Sequence, residues 1–205
     1  MQQGTLYVIC GPSGVGKSSL VKALVESTTE LEVSVSHTTR QARMGEQNGV
    51  NYNFVTEVEF MDILNRNGFF EHAHIFGNYY GTSQQWVTER LNTGVDVILE
   101  IDWQGAQQIR RLKPETLCIF ILPPSRTTLE GRLRKRSTDS DEIIKQRLHG
   151  ATLEMSHYVE FDYLVINDDF AKTLFNLQTI IFSQRLTQTV QARENQRLLA
   201  ELLAE

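Results

Sequence analysis

The amino-acid sequence predicts an α/β protein, a three-layer sandwich in which helices cover both faces of a mostly parallel central sheet. Short runs rich in Val, Ile and Leu, without strict alternation of polar and apolar residues, are typical of strands buried on both faces. Four such runs are present, at residues 5–10, 95–101, 116–122 and 163–166. Helical patterns follow or separate the runs, and strands that alternate with helices favour this architecture. The predicted helices are residues 17–26, 103–111, 125–136, 141–155 and 170–186.

The composition is that of an ordinary globular protein. The 205 residues are 40% hydrophobic and 22% charged, with 13 Gly and 4 Pro, which excludes collagen-like, Pro/Gly-rich disordered and coiled-coil proteins. The formal net charge of −5 argues against a nucleic-acid partner, because nucleic-acid-binding domains are usually basic. Small anionic ligands remain compatible with it, since a few Arg and Lys side chains can converge locally.

The cysteines and the hydropathy pattern indicate the cellular compartment of the protein. Cys10 and Cys118 lie far apart, each beside an apolar run, and form no disulfide or metal-binding pattern, so we expect buried thiols in a reducing compartment. The first residues lack the basic region of a signal peptide, and no run approaches the ~18 apolar residues of a membrane span. We therefore expect a soluble, cytoplasmic protein with no membrane partner.

Two segments interrupt the alternation of strands and helices. Residues 35–94 contain a polar stretch, a capping-box signal at Thr56 and Glu59 that opens a helix, and an aromatic run. We interpret this segment as a small β-rich lobe inserted between core strands. The second segment, about residues 124–155, is helical and strongly charged.

Four leucines near the C-terminus repeat at helical spacing: Leu198, Leu199, Leu202 and Leu203. Two interpretations stay open. The leucines form either a docking face, for example between copies of a homo-oligomer, or the inner face of a helix that folds back on its own core.

The strongest local signal is a glycine-rich loop between the first predicted strand and the first predicted helix. It matches G-x-x-x-x-G-K-[ST], in which backbone N–H groups turn inward around phosphate oxygens and the helix N-terminus adds positive potential. Its residues are Gly11, Pro12, Ser13, Gly14, Val15, Gly16, Lys17 and Ser18. Lys17 can reach the β- and γ-phosphates, and the Ser18 hydroxyl can bind Mg²⁺. The loop therefore predicts binding of a nucleoside triphosphate.

This phosphate-binding loop alone does not distinguish a kinase from a GTPase or a motor protein, but the chain has no Asn/Thr-Lys-x-Asp motif of a GTPase. A further ordered series of motifs is present: residues 34–40 (SVSHTTR), Arg43, Gly45-Glu46, Tyr52, Glu71, residues 77–82 (GNYYGT), Asp102-x-Gln104-Gly105, Pro123-Pro124-Ser125 and Asn167-Asp168. With this series the chain, from the loop to about residue 170, resembles the guanylate kinases, and in particular their free-standing bacterial form.

The resemblance implies a P-loop NTPase-type fold that transfers the γ-phosphoryl group of ATP to GMP, giving ADP and GDP, with Mg²⁺ as cofactor. It implies one domain, residues 1–205, with three parts. These are a core (about 1–34, 95–123 and 156–205), a GMP-binding lobe (about 35–94) and a lid over ATP (about 124–155).

The resemblance also implies which residues hold the GMP phosphate. Arg40 and Arg43 are suited to bidentate contact with a dianion. Tyr52 and Tyr80 would add hydroxyl donors to the same group. The phosphate is already largely ionised at neutral pH, its second pKa being near 6, so an attacking oxygen is available without a general base.

Base recognition is implied for four further residues. Glu71 is an acceptor matched to the N1–H and 2-amino donors that guanine has and adenine lacks. Ser36 and Thr82 would offer hydroxyls to O6 or N7. Asp102 is a candidate for the ribose or base edge and, with Ser18, for Mg²⁺ or its water. Its acidic neighbour Glu100 is a second, less favoured candidate.

On the ATP side, the resemblance implies that charge neutralisation by cationic side chains drives the transfer. The implied catalytic residues are Lys17, Arg40, Arg132, Arg136 and Arg147. Taken alone, the basic cluster around residues 132–136 would more often be a solvated surface. Its segment 134–138 also departs from the glycine-containing form expected in the family. Asn167 and Asp168 are implied at the adenine side of ATP.

Two alternatives belong to other classes. One is another small P-loop kinase, such as a ribosyl-bisphosphate kinase, which would leave Glu71 with no base to read. The other is a non-catalytic guanylate-kinase-like module that binds phosphopeptides. Such modules typically lose the phosphate-binding loop, which is intact here.

Overall fold

The computed structural model describes residues 3–75, 77–135 and 141–204. Its strands are β1 Leu6–Cys10, β2 Leu31–Val33, β3 His37–Thr38, β4 Asn53–Phe54, β5 Phe69–Ile75, β6 Asn78–Ser83, β7 Asp96–Glu100, β8 Leu117–Leu122 and β9 Tyr163–Ile166. Its helices are α1 Lys17–Glu26, α2 Glu57–Asn65, α3 Gln84–Asn92, α4 Trp103–Leu112, α5 Arg126–Lys135, α6 Asp141–Ser156, α7 Phe170–Arg185, α8 Gln188–Glu194 and α9 Gln196–Leu203.

Five strands form a parallel central sheet in the order β2-β7-β1-β8-β9. On one face, Ile9 packs in a cluster with Leu20 of α1 and Leu177 of α7. On the other face, Val8 belongs to a cluster that includes Ile109 of α4. Because successive residues of a strand point to opposite faces, β1 contributes to both clusters. Helices thus cover both faces of the sheet, and the predicted sandwich is confirmed.

The edges of this sheet differ from the sequence prediction. Strand β2 was not predicted, because three residues, one of them Glu32, make too short a run to stand out. The prediction that every core strand is buried on both faces is wrong for β9, where Val165 is 5% exposed but Leu164 and Ile166 are 47% and 42% exposed. This strand pairs with β8 alone, and Val165 contacts the cluster that contains α7. Apolar content predicts a strand but not whether it lies at an edge.

A second sheet lies within the predicted insert, in the order β4-β3-β6-β5. Strand β6 is antiparallel to both β3 and β5, and β4 is parallel to β3. The Thr56 side chain accepts from the Glu59 backbone and the Glu59 carboxylate accepts from the Thr56 backbone, so the predicted capping box starts α2. Phe60 of α2 stacks on Phe69, with 4.5 Å between ring centroids. The insert therefore has a small β-rich core of its own.

Helices α5 and α6 share a small apolar cluster formed by Leu129, Leu133, Ile144 and Ala151. The predicted end of α5 at residue 136 lies outside the described residues. The four C-terminal leucines are exposed, so the interpretation in which α9 folds them onto the core is wrong. Self-association through them stays a prediction. Among the helices of the described residues, none has both the length and the hydropathy required to traverse a bilayer.

Candidate active site

The phosphate-binding loop connects the end of β1 to α1 at the carboxyl edge of the central sheet. Gly16 is the N-cap of α1 and has φ 103°, a left-handed conformation that strongly favours glycine. A Cβ at Gly16 would lie 2.8 Å from Nδ2 of Asn167, and that amide nitrogen donates to the Val15 carbonyl at 2.7 Å. Asn167 is buried in the described structure. The predicted adenine-side residue therefore also supports the backbone of the loop.

Two residues of the first turn of α1 make contacts that bear on phosphate and metal binding. The Lys17 Nζ donates to the carbonyl of Gly11 at 2.5 Å and lies 3.5 Å from that of Pro12. The Ser18 hydroxyl donates to Oε1 of Glu100 at 2.7 Å. Glu100 is the last residue of β7, the strand next to β1. The carboxylate in contact with Ser18 is therefore Glu100, which the sequence analysis offered only as the second acidic candidate after Asp102.

Helix α6 lies over the same loop. The Arg147 guanidinium donates to the hydroxyl of Ser13 at 3.0 Å. Burial raises the pKa of the Glu154 carboxyl, while the Lys17 ammonium and a hydrogen bond from the Ser13 backbone N–H oppose that shift. The helix thus brings a cation and a carboxylate to the loop. Glu154 was not singled out from the sequence, because a single Glu in a charged helix carries no local signal.

Arg132 of α5 is bound to backbone. Its two terminal nitrogens donate to the carbonyls of Val15 and Asn167, each at 3.0 Å. The residue therefore ties α5 to the phosphate-binding loop and to the loop after β9. Arg136, the second predicted arginine of this helix, lies outside the described residues. Asp168 is exposed, accepts from the backbone N–H of Asp169 at 2.8 Å and lies 3.8 Å from Lys172.

Glu71 forms a buried carboxylate site between β5 and α4. The residue is 3% exposed, and its Oε1 accepts from the Thr82 hydroxyl at 2.6 Å. A Cβ at Gly105 would lie 2.6 Å from its Oε2, so the glycine allows the carboxylate to touch the helix. Burial, reinforced by the nearby Asp102, raises the pKa of Glu71 to about 7, against the opposing hydrogen bond from Thr82. The Thr82 proton is directed at Glu71, so its hydroxyl offers a ligand an acceptor and not the donor expected for O6 or N7.

Asp102 caps α4. Its Oδ1 accepts from the Gly105 backbone N–H at 2.9 Å. Burial raises the pKa of the Asp102 carboxyl, and the hydrogen bond from Gly105 and the Lys17 charge act in the opposite direction. Asp102 therefore lies within electrostatic reach of both Glu71 and the phosphate-binding loop.

The predicted phosphate-binding arginines share one carboxylate, Glu46. The Arg40 guanidinium lies 3.0 Å from Oε1 of Glu46, and the Arg43 backbone N–H donates to Oε2 at 2.8 Å. Burial raises the pKa of the Glu46 carboxyl, but the hydrogen bonds from Arg40 and Arg43 outweigh this and bring that pKa below its usual value. The Gly45-Glu46 motif was noted in the sequence, but its function as the anchor of both arginines requires the folded loop.

Two tyrosines lie near Arg40. The Arg40 guanidinium carbon lies 5.3 Å from the ring centroid of Tyr52, which is 6.0 Å from that of Tyr80. Burial raises the pKa of Tyr52 to about 12, and the Glu100 charge adds to this shift. Tyr52 therefore lies near the carboxylate that contacts Ser18. Ser36 precedes β3, and its carbonyl accepts from the Asn53 backbone at 2.9 Å.

These contacts and charge interactions bring most of the predicted site residues to one region. Glu71 is coupled to Asp102, Asp102 to Lys17, and Tyr52 to Glu100. Charge interactions thus connect the phosphate-binding loop, a group of carboxylates and the arginine–tyrosine cluster. Such a site can hold two anionic groups and offer hydrogen-bond acceptors to a base.

The sequence and the fold are similar to those of known guanylate kinases. The family model described as Guanylate kinase matches residues 3–184. The guanylate kinase of Escherichia coli (strain K12) is 52% identical over 207 residues and covers 100% of both chains. That of Alcanivorax borkumensis is 54% identical over 202 residues, with 98% of each chain covered. A crystal structure of guanylate kinase from Anaplasma phagocytophilum has a TM-score of 0.78 and 32% identity, covering 91% of this chain and 89% of the other.

The family match spans both sheets and the helices α5 and α6 that contact the phosphate-binding loop. The full-length relatives and the similar solved structure agree with it. This chain belongs to the guanylate kinase family.

Proposed function

We propose that this chain transfers the γ-phosphoryl group of ATP to the phosphate of GMP, giving ADP and GDP. The observation that carries the proposal is the buried Glu71 carboxylate, coupled through Asp102 to the lysine of an intact phosphate-binding loop. A buried carboxylate is costly unless it is paired, and guanine offers two adjacent donors that would pair it. The alternatives, another small P-loop kinase or a phosphopeptide-binding module, leave that carboxylate without a ligand.

The transfer step needs alignment and charge neutralisation more than proton transfer. A GMP phosphate with a second pKa near 6 already presents an ionised oxygen at neutral pH. Lys17, Arg40 and Arg147 supply the positive charge, and their contacts with Gly11, Glu46 and Ser13 hold them near the site. We therefore assign no general base.

Glu71 selects the base. Its ionised carboxylate would accept from the N1–H and 2-amino groups of guanine, and Asp102, which interacts electrostatically with Glu71, would contribute to the same edge. Adenine presents an acceptor at N1 and lacks the 2-amino group, so its binding would leave the carboxylate unpaired. A site built this way rejects the wrong base by orders of magnitude.

The donor set beside the phosphate-binding loop fits Mg²⁺. The Ser18 hydroxyl and the Glu100 carboxylate offer oxygen ligands, which are the kind that Mg²⁺ prefers, and Asp102 is a further candidate through water. When bound, the ion would neutralise charge on the β- and γ-phosphates. Ser18 and Glu100 would hold and orient it.

The parts of the chain divide accordingly. We propose that residues 35–94, which contain the second sheet, bind GMP, and that residues 124–155, which contain α5 and most of α6, form a lid over ATP. The rest forms the core. The cytoplasmic location stays a prediction, supported by the buried free thiols of Cys10 and Cys118.

The test is ADP release measured against GMP, AMP, CMP and UMP. GMP should exceed the other acceptors in kcat/KM by a factor on the order of 10⁴. Lys17→Ala should lower kcat by about 10²–10³-fold, whereas Lys22→Ala, at an exposed residue paired with Glu26, should leave it unchanged. Preference for AMP, CMP or UMP would contradict the assignment of the acceptor. Full activity of Lys17→Ala would contradict the role of the loop.

A further inference from the structure

Strand β5, which carries Glu71, is the edge strand of the second sheet, because it pairs with β6 alone. An edge strand has backbone groups on its outer side without a strand partner. In this protein the side chain of Gln108 bonds to those backbone groups at one residue of β5. The Gln108 Nε2 donates to the His72 carbonyl at 2.8 Å, and its Oε1 accepts from the His72 N–H at 3.2 Å. A single amide from α4 thus occupies both backbone groups of the residue next to Glu71.

The same helix contacts the β5 site at two other positions. Asp102 caps it and raises the pKa of Glu71, and Gly105 lies against the Glu71 carboxylate. Residues 102, 105 and 108 are spaced by three, so they lie near one another along one side of the helix. One side of α4 therefore faces β5 with Asp102, Gly105 and Gln108. Of these three, Gln108 is the residue that hydrogen-bonds to the strand backbone.

A second contact holds β5 on the other side of Glu71. The Phe70 side chain belongs to the apolar cluster that contains Ala106 and Ile109 of α4. Apolar packing of this kind resists separation of strand and helix but does not fix their register. The paired hydrogen bonds of an amide are directional, so they fix the register of the strand relative to the helix. Glu71 is thus placed between a packed ring and a clamped peptide group.

We propose that Gln108 is a positioning residue for base recognition, which holds the His72 peptide against α4 and so fixes the Glu71 carboxylate relative to Asp102. The inference rests on the proposed function, in which Glu71 reads guanine. Without the clamp, β5 can shift along α4 and the two carboxylates lose their fixed separation. The ligand group most sensitive to that separation is the 2-amino group of guanine. It can donate to a second carboxylate only if Asp102 lies at the correct distance from Glu71.

The experiment compares GMP with IMP, which lacks the 2-amino group. Gln108→Leu removes both hydrogen bonds at similar volume. It should raise KM for GMP about tenfold, as expected for two lost hydrogen bonds, and should lower the ratio of kcat/KM for GMP over IMP by a similar factor. KM for ATP should not change, because the hydrogen bonds of the Gln108 amide go to β5 and not to the phosphate-binding loop. Gln108→Glu keeps one acceptor but opposes the His72 carbonyl, so its GMP/IMP ratio should fall between wild type and Gln108→Leu.

Gln107→Leu is the matched control, since the Gln107 amide donates to Glu160 at 2.8 Å and not to β5. It should keep the wild-type ratio. A general loss of stability would lower the apparent kcat with GMP and IMP alike and leave the GMP/IMP ratio intact, and that result would overturn the proposal. An unchanged GMP/IMP ratio in Gln108→Glu would also overturn the proposal. Gln108→Glu is the variant to use if Gln108→Leu does not fold. If the wild-type enzyme itself did not prefer GMP over AMP, the proposed function would fail instead.

Discussion

The Ser18 hydroxyl donates to Glu100 across 2.7 Å and ties the first turn of α1 to the end of the neighbouring strand β7. Both residues lie at the carboxyl edge of a parallel sheet, where ligands of α/β proteins bind. Asp102, two residues further, instead turns into the N-cap of α4. The two carboxylates therefore have different neighbours, and this separates their expected roles.

Glu100→Gln should lower the apparent affinity for Mg²⁺ more than Asp102→Asn does. The first change removes the charge in contact with Ser18, and we expect the apparent Mg²⁺ affinity at fixed ATP to fall by about 10–100-fold. The measurement is initial rate against free Mg²⁺. Asp102→Asn should instead raise KM for GMP. If only Asp102→Asn changes the Mg²⁺ concentration required for half-maximal rate, Asp102 and not Glu100 contacts the metal.

The affinity for GMP should depend on pH through Glu71. With a pKa of about 7, this carboxyl is mainly protonated below pH 7 and then cannot accept from both guanine donors. KM for GMP should therefore fall as pH rises from 6 to 8, by up to about tenfold per pH unit on the acid side. Glu71→Gln should lose that dependence while KM for ATP keeps its own profile. The GMP phosphate titrates in both enzymes, so the difference between them isolates the side chain.

Glu71 should also destabilise the folded protein at alkaline pH. Its folded pKa of about 7 lies above the ordinary value of 4.5. Its contribution to stability is therefore fully present below pH 4.5 and is lost as pH rises through 7. Relative to wild type, Glu71→Gln should gain about 3 kcal/mol in free energy of unfolding between pH 4.5 and 8. Urea unfolding at the two pH values tests this, and an equal difference between variant and wild type at both pH values would contradict it.

Arg132→Lys should weaken ATP binding. A lysine cannot span the carbonyls of Val15 and Asn167, both of which the guanidinium holds at 3.0 Å. The phosphate-binding loop would lose its tie to α5, and we expect KM for ATP to rise about tenfold with a smaller change in kcat. Arg134→Lys, at a residue paired with Glu130 on the same helix, is the control. A large loss of kcat with KM unchanged would assign Arg132 to the transition state instead.

Local sequence signals predicted the features that depend on neighbouring residues. Helix α1 begins at Lys17 and ends at Glu26 as expected, because the glycine-rich loop fixes its start. The capping box at Thr56 and Glu59 is likewise a matter of four consecutive residues. Strand β9 was predicted as a strand, but its exposure depends on which strands lie beside it.

The contacts that the sequence did not reveal join residues far apart in the chain. Glu100 lies at the end of β7 and Asp102 two residues after it, and only the turn of Asp102 into α4 decides which of them meets Ser18. Gln108 and His72 are 36 positions apart and interact through a backbone edge, which leaves no pattern in the amino-acid letters. Glu46 acquires its function only when the loop folds its carboxylate against Arg40.

The close approach of Gly105 to Glu71 couples two positions of the sequence. A methyl group at residue 105 would stand 2.6 Å from the carboxylate oxygen, so even alanine there must push Glu71 aside. A shorter acidic residue at 71 would open the space that a larger residue at 105 requires. Changes at the two sites are therefore epistatic, and redesign of the accepted nucleobase has to vary strand and helix together.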